Sequence, residues 1–308
     1  MIRHLFILNP EAGVHNPVKE ATERIKKAFI LNTDRENEKY DIVLTKKKSD
    51  ATEIARRACA ENPGFTRIYA CGGDGTLNEV VNGAVNGANI AICPVPVGSG
   101  NDFVRHFESV PKEKFLDISS LIHAKPVPCD VLKCGDRYSI NNFSVGLDAY
   151  TAKRQQKVKR IPLVSGGAAY KLALGYSFLS SMKNPIRFEV DGENLDLGTP
   201  NVTLGVMGNG KFYGGGIKAT PLAEINDGWM DFITVRTVSR LEFLKYVGDY
   251  KSGRHLETMP FVKFLRCKKV RLFSEEPIVM QGDGEIFQSI NPTVELLPSA
   301  LQLILPKA

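Results

Sequence analysis

No stretch of this 308-residue chain approaches the roughly 20 consecutive apolar residues that cross a bilayer, so a membrane-spanning helix is not expected. The opening MIRHLFILNP has four apolar residues in a row before Asn9 and Pro10, too brief for a secretion signal and better read as a first strand. Paired cysteines are also missing. The six cysteines (Cys59, Cys71, Cys93, Cys129, Cys134, Cys267) lie at irregular spacings without a CxxC, unlike a zinc site or a disulfide framework, and read as free thiols in a reducing cytoplasm. The five histidines (His4, His15, His106, His123, His255) form no ligand-spaced pair, which argues against a zinc hydrolase. Low-complexity tracts and internal repeats are absent, and 43% hydrophobic with 24% charged residues is an ordinary globular balance. Lys and Arg are interleaved with acids to a net charge of +6, which argues against a nucleic-acid arm while permitting attraction to anionic surfaces.

What is present alternates at first. RHLFIL reads as a strand, Val18, Ala21, Ile25 and Ala28 recur at helical spacing, and YDIVLT is a second strand. A helix follows at SDATEIARRACA, where Asp50 and Glu53 resemble a capping box, then strand TRIYAC, a helix over 76–86 and strand NIAICPVPVG. Strands alternating with helices predict an α/β domain with a parallel sheet over residues 1–127. From about Cys129 short β-like runs dominate, with turn dipeptides Asp191-Gly192 and Asp227-Gly228 and helical stretches near 166–182 and 240–250. Residues 128–308 therefore read as a β-rich, antiparallel second domain, reached through a linker AKPVP at 124–128.

Two glycine-rich turns carry acids. GGDGT (72–76) follows a strand and opens a helix, a place where backbone N–H groups and the helix dipole favour phosphate. It lacks the Lys-Ser/Thr of a Walker loop and is not the three-glycine dinucleotide fingerprint. Asp74 inside it makes sense if Mg²⁺ or an incoming hydroxyl lies between carboxylate and phosphate, although an ordinary turn with Thr76 as helix cap accounts for the same residues. PVGSGNDFVRHF brings a second such turn, with Asn101 and Asp102, to the end of the fourth strand, and NPEAG offers Asn9 and Gly13 to the same sheet edge. Ligands of open α/β sheets bind outside the carboxyl ends of the strands, so these turns should converge.

With NNFSVGLDA, GNGKFYGGGIKATPLAEINDGWMDF and GDGE added, the segments from residue 9 to 285 resemble the soluble diacylglycerol kinase-like lipid kinases, which include bacterial lipid kinases and the sphingosine and ceramide kinases. GGDGT alone is shared with NAD kinases. The resemblance implies a nucleotide domain and a β-rich lipid-substrate domain with ATP in the cleft between them. It implies ATP contacts from Asn9, Pro10, Glu11, Ala12, Gly13, Thr45, Gly72, Gly73, Asp74, Gly75, Thr76, Leu77, Asn78, Glu79 and Ser99. Asp74 and Asp102 resemble essential acids acting through water and Mg²⁺, and Glu285, with Asp283 beside it, resembles the general base for the lipid hydroxyl. The EINDGW turn is similar to a structural Mg²⁺ site, with the Asp227 carboxylate and the backbone carbonyls of Glu224 and Trp229. The sequence departs from the family at Ala12-Gly13-Val14-His15, where Ser-Gly and a basic residue are usual, and at Ser99, which replaces threonine.

The reaction implied is transfer of the ATP γ-phosphoryl group to a lipid hydroxyl, with diacylglycerol, giving phosphatidic acid, as the favoured acceptor; a sphingoid base, an isoprenoid alcohol and a phospholipid headgroup also offer a hydroxyl, and the sequence does not choose among them. A carboxylate taking the hydroxyl proton contributes about 10²–10⁴-fold. In an extended GDGE, Asp283 and Glu285 would share one face; in a tight Asp-Gly turn they diverge. The Asp227-Gly228 pair also suits a plain hairpin. Lys153, Arg154, Lys157, Lys159 and Arg160, with no acid among them, suit transient docking on an anionic membrane at about 1 kcal/mol each, or a solvated helix face. The oligomeric state stays open, with an exposed strand edge in the second domain able to pair two chains as a homodimer. NAD kinase and a non-catalytic nucleotide sensor stand as alternatives; the former would lack GSGNDFVR and the latter needs no Glu285.

Overall fold

The computed structural model describes residues 2–13, 18–32, 38–61, 64–85, 87–158, 176 and 182–307. They form two compact units, Met1–Val131 with Pro298–Ala308, and Leu132–Leu297.

The first unit runs β1 (Ile2–Leu8), α1 (Val18–Asn32), β2 (Glu38–Leu44), α2 (Asp50–Ala60), β3 (Phe65–Gly72), α3 (Asp74–Ala84), β4 (Ile90–Pro96), α4 (Asp102–Arg105), a 3₁₀ turn at Lys112–Leu116 and α5 (Ile118–Leu121). The strands lie in the order β2-β1-β3-β4, all parallel, with Leu8 level with Leu44 and Cys71, and Cys71 level with Val95. That register brings the carboxyl ends of β1, β3 and β4 to one edge. β3 and β4 are buried almost throughout, as apolar runs covered on both faces must be, whereas edge strand β2 carries Glu38, Lys39 and Asp41. Phe6, Phe29, Tyr69, Ile118 and Leu121 belong to one core cluster, with the Phe6 and Tyr69 rings stacked at 4.1 Å. From the C-terminal residues, Leu303 pairs in parallel with Ile92 of β4.

The capping box expected at Asp50 and Glu53 does not form. Asp50 Oδ2 accepts from Lys46 N at 2.7 Å, and Glu53 pairs with Arg56. The Glu79 carboxylate arrives from α3 instead, accepting from Ser49 N at 2.8 Å and Ala51 N at 3.2 Å; an acid from another helix serves the same donors and the same dipole. The segment 124–128, read as a linker, enters strand β5 (Pro126–Cys134) at its third residue, because proline is tolerated as the first residue of a strand.

The second unit continues with β6 (Arg137–Ser139), β7 (Asn142–Gly146), α6 (Leu147–Val158), β8 (Arg187–Val190), β9 (Glu193–Asn194), β10 (Val202–Gly208), β11 (Met230–Arg236), α7 (Arg240–Ser252), α8 (His255–Thr258), β12 (Val262–Cys267), β13 (Lys269–Phe273), β14 (Ile278–Gly282), β15 (Glu285–Ser289) and β16 (Thr293–Ile304), whose last residues belong to the first unit. Six strands pair antiparallel in the order β12-β11-β10-β7-β14-β15, and β13 pairs antiparallel with β8 and β16. Phe143, Phe232 and Met280 from the first set share a core with Phe188, Val270 and Val294 from the second. Asp191-Gly192 (φ 48 and 92) and Asp283-Gly284 (φ 44 and 88) make the two-residue turns of β8–β9 and β14–β15. Asp227-Gly228 lies near the end of the long connection that joins the antiparallel neighbours β10 and β11, and is not a two-residue hairpin turn. The helix expected at 240–250 is α7, opened by a capping box of Ser239 and Glu242. The one expected at 166–182 falls, apart from Tyr176 and Met182, outside the described residues. Among the described residues no helix is long and apolar enough to cross a membrane.

Candidate active site

At the carboxyl edge of the first unit the three turns read from the sequence do converge. Asn9, just past β1, donates its backbone N–H to Cys71 O (3.0 Å) and its side-chain amide to Thr76 Oγ1 (3.2 Å), and its Oδ1 accepts from Glu11 N (3.0 Å). Pro10 is half-buried, Ala12 buried, and Glu11 and Gly13 exposed. Thr45 N donates to Leu8 O at 2.9 Å. Gly72 O accepts from both Val97 N and Gly98 N, binding the first glycine turn to the second. A Cβ on Gly98 would lie 2.4 Å from Gly73 Cα, so two backbones meet where no side chain fits.

Asp74 is the first residue of α3, and its Oδ1 accepts from Phe103 N at 3.3 Å. Burial raises its pKa, while backbone hydrogen bonds from Phe103, Asp102 and Asn101 work against that rise. A Cβ on Gly100 would lie 2.7 Å from Asp74 Oδ2. The carboxylate in an anion-shaped turn thus finds its partners at the start of the next helix and clasps the two turns together. Asn101 (φ 55) donates its side-chain amide to Gly98 O at 2.6 Å, and buried Asp102 lies 3.4 Å from Arg105 Nε. Thr76 sits inside α3 and accepts from Asn9; Gly73 holds the cap position. Gly75 and Ser99 are exposed, Leu77 and Asn78 are buried, and Glu79 is spent on α2. An α-helix start with exposed residues and close-packed glycines suits a phosphate chain.

In the second unit, Asp283 accepts from Ser139 Oγ (2.6 Å), Ile140 N (2.9 Å) and Asn142 N (3.0 Å), and its own N–H donates to Asn142 O (3.2 Å). Gly284 N donates to Gln281 Oε1 (2.6 Å), and Gln281 Nε2 reaches Asn142 Oδ1 and Ser144 Oγ, both at 3.2 Å. The positive φ of Asp283 and Gly284 turns Asp283 out of line with Glu285, so the two share no strand face. Asp283 holds the turn against β7; Glu285, half-buried, begins β15. The GNGKFYGGG segment docks on the same place: Asn209 N and Gly210 N donate to Asn141 O at 2.8 and 2.9 Å, and Asn141 Nδ2 donates to Phe212 O.

Two acids given no role in the sequence reading stand out by their environment. Asp148 is pushed up to about 6 by burial, against the hydroxyls of Tyr213 and Tyr250. Asp231 is pushed up to about 7 by burial and by the charge of Glu224, and its Oδ1 lies 3.3 Å from Arg266 Nε. Both lie inside quoted motifs, NNFSVGLDA and INDGWMDF, which was the available signal. At the turn expected to hold Mg²⁺, Asp227 Oδ1 accepts from Trp229 N (3.0 Å), its Oδ2 pairs with Arg266 Nη2, and Glu224 pairs with Lys211 at 3.3 Å. No cluster of three or more His, Cys, Asp or Glu suited to a metal occurs among the described residues. Of the basic segment, Lys153 and Arg154 are described, with Arg154 4.6 Å from the Tyr176 ring centre; Lys159, Arg160 and the Lys157 side chain lie outside the described residues.

Two family profiles account for nearly the whole chain: "Diacylglycerol kinase catalytic domain" over residues 3–134 and "YegS C-terminal NAD kinase beta sandwich-like domain" over 141–305. The class they define is a lipid kinase. The chain is 32% identical to a probable lipid kinase YegS-like protein of Chromohalobacter salexigens over 98% of its own length and 93% of that protein, and 27% identical to a diacylglycerol kinase of Staphylococcus carnosus over 99% and 95%. A crystal structure of a diacylglycerol kinase from Bacillus anthracis shares the fold, with a TM-score of 0.69 at 22% identity over 98% of this chain and 96% of that one. The chain therefore belongs to the diacylglycerol kinase-like family of lipid kinases.

Proposed function

We propose that the protein transfers the γ-phosphoryl group of ATP to the hydroxyl of diacylglycerol, yielding phosphatidic acid and ADP and so serving phospholipid synthesis. The lipid oxygen bonds to the γ-phosphorus as the bridging P–O bond breaks, ADP leaves with the bonding pair, and Glu285 takes the hydroxyl proton. The observation that carries this reading is the clasp at Asp74, which joins two glycine turns at the start of α3 and leaves Gly75 and Ser99 exposed beside them. Asn9, Thr45 and Gly72 to Thr76 stand at that edge as nucleotide contacts. Mg²⁺ bound with ATP would offset the charge spread over the phosphates, and Asp74 and Asp102 are the acids that would face it through water. Asp74 spends an oxygen on the α4 backbone, which fits contact through water better than direct ligation. Asp283 fixes the turn from which Glu285 works. The protein meets its lipid from the cytoplasm by a transient, peripheral contact aided by Lys153 and Arg154, and it acts as a homodimer.

Incubation with labelled ATP, Mg²⁺ and a total lipid extract tests the proposal, with label expected in phosphatidic acid. Label in another lipid would change the acceptor. Label in no lipid, with NADP formed from NAD, would replace the reading by a NAD kinase.

A further inference from the structure

The resemblance puts a structural Mg²⁺ at the Glu224–Trp229 turn, and the residues around Asp227 do not fit it. Asp231 on β11 lies directly opposite Arg266 on β12 in the antiparallel register, and the turn ahead of β11 brings Asp227 to the same guanidinium. Arg266 Nη2 pairs with Asp227 Oδ2 while its Nε lies 3.3 Å from Asp231 Oδ1. Asp231 is 1% exposed, and among the described residues neither of its carboxylate oxygens receives a hydrogen bond. The guanidinium is the cation set beside that buried carboxyl, within ion-pair distance but without a hydrogen bond to it. The other Asp227 oxygen accepts from Trp229 N at 3.0 Å. A divalent cation beside Asp227 would sit against a guanidinium that already holds the acid, where like charges repel.

We infer that Arg266 is the built-in counter-ion of this turn, joining Asp227 to Asp231 and doing for the chain what the resemblance assigns to a bound cation. Arginine suits the task because its positive charge is spread over a planar group that pairs with Asp227 through Nη2 while Nε faces Asp231, which a compact lysine ammonium does not do from one fixed position. The consequence is a second unit whose stability is indifferent to divalent cations. This stands apart from the kinase reading and is read out without turnover.

The test is thermal unfolding of the full-length protein and its Arg266→Met variant, each in EDTA and in millimolar MgCl₂. The wild type should melt at the same temperature in both. Arg266→Met leaves a buried carboxylate without a partner and should melt roughly 5–10 °C lower in EDTA. Part of that loss should return with MgCl₂, since Asp227 and Asp231 then face an open position. Adding Asp231→Asn to Arg266→Met should restore stability in EDTA and abolish the response to MgCl₂. A wild type that loses stability in EDTA overturns the inference, as does an Arg266→Met variant as stable as wild type in EDTA. If the single variant does not fold at all, rescue by Asp231→Asn supports the inference and failure of that rescue overturns it.

Discussion

Replacing Asp283 by alanine separates a brace from a base. Its carboxylate accepts from Ser139 Oγ, Ile140 N and Asn142 N, three donors that the substitution strips of their acceptor. Ser139 Oγ also contacts Asn142 O at 2.9 Å and keeps that partner, so the loss falls on the two backbone N–H groups. Hydrogen bonds to a charged acceptor contribute about 1.5–3 kcal/mol each, and the half-buried position of Asp283 puts these at the lower end, for a total of ~3 kcal/mol. With a urea slope of about 2 kcal/mol/M, the unfolding midpoint should fall by ~1.5 M. The chain has one tryptophan, Trp229, and it belongs to the same unit, so its fluorescence follows the transition directly. Asp283→Asn, which keeps an acceptor oxygen, should lose about half as much. Glu285→Gln should leave the midpoint where it was and abolish phosphoryl transfer. If Asp283→Ala unfolds within ~0.3 M of wild type and is as inactive as Glu285→Gln, the brace assignment fails and Asp283 is a chemical participant.

Asp74→Asn keeps an acceptor for the α4 backbone and removes the charge, so the protein should stay folded by circular dichroism while phosphoryl transfer to lipid is lost. Gly98→Ala drives a methyl group into the Gly73 backbone and should cost about 1–3 kcal/mol in stability with a raised KM for ATP, measured by denaturation and steady-state kinetics. Asp148 is held near 6 when folded and returns toward ~3.9 when unfolded, so the folded state binds its proton more tightly. Its contribution is therefore full below pH ~4 and lost as pH rises to about 6; Asp148→Asn should remove that decline, on the order of 1–3 kcal/mol, from a stability profile taken across the window. Neutralising Lys153 and Arg154 together should weaken binding to anionic vesicles by about 2 kcal/mol and spare turnover on detergent-dispersed lipid, as sedimentation and assay would report.

Much of the first unit was legible because its signals are local. Leu5 to Leu8 and Ile68 to Cys71 are unbroken apolar runs that only a strand covered on both faces accommodates, and Ile25 and Ala28 repeat at helical spacing toward the core. Asp191-Gly192 was legible as a turn because positive φ at two successive positions selects those residues, whereas GDGE suited an extended segment and a turn alike. What escaped was settled at long range. The donors to Asp283 lie more than 140 positions earlier, and nothing in GDGE announces them. Glu79 reads as one more residue of a phosphate turn, yet its carboxylate serves Ser49 and Ala51, about 30 positions away. Asp50 and Glu53 have the spacing of a capping box, but spacing cannot register a competing acid from a different helix. Arg266 likewise became meaningful only through the β11–β12 register that sets it opposite Asp231.

The first unit is discontinuous in the chain: it is left at Val131 and rejoined at Pro298, and Leu303 supplies the neighbour of β4. During synthesis the four-stranded parallel sheet must therefore wait, with an apolar strand bare on one side, while the entire second unit emerges from the ribosome. Chaperone binding to nascent chains should be strongest in that interval and end only when the last strand leaves the exit tunnel. A fragment stopping at residue 131 would inherit the same open flank permanently and would be prone to associate along it.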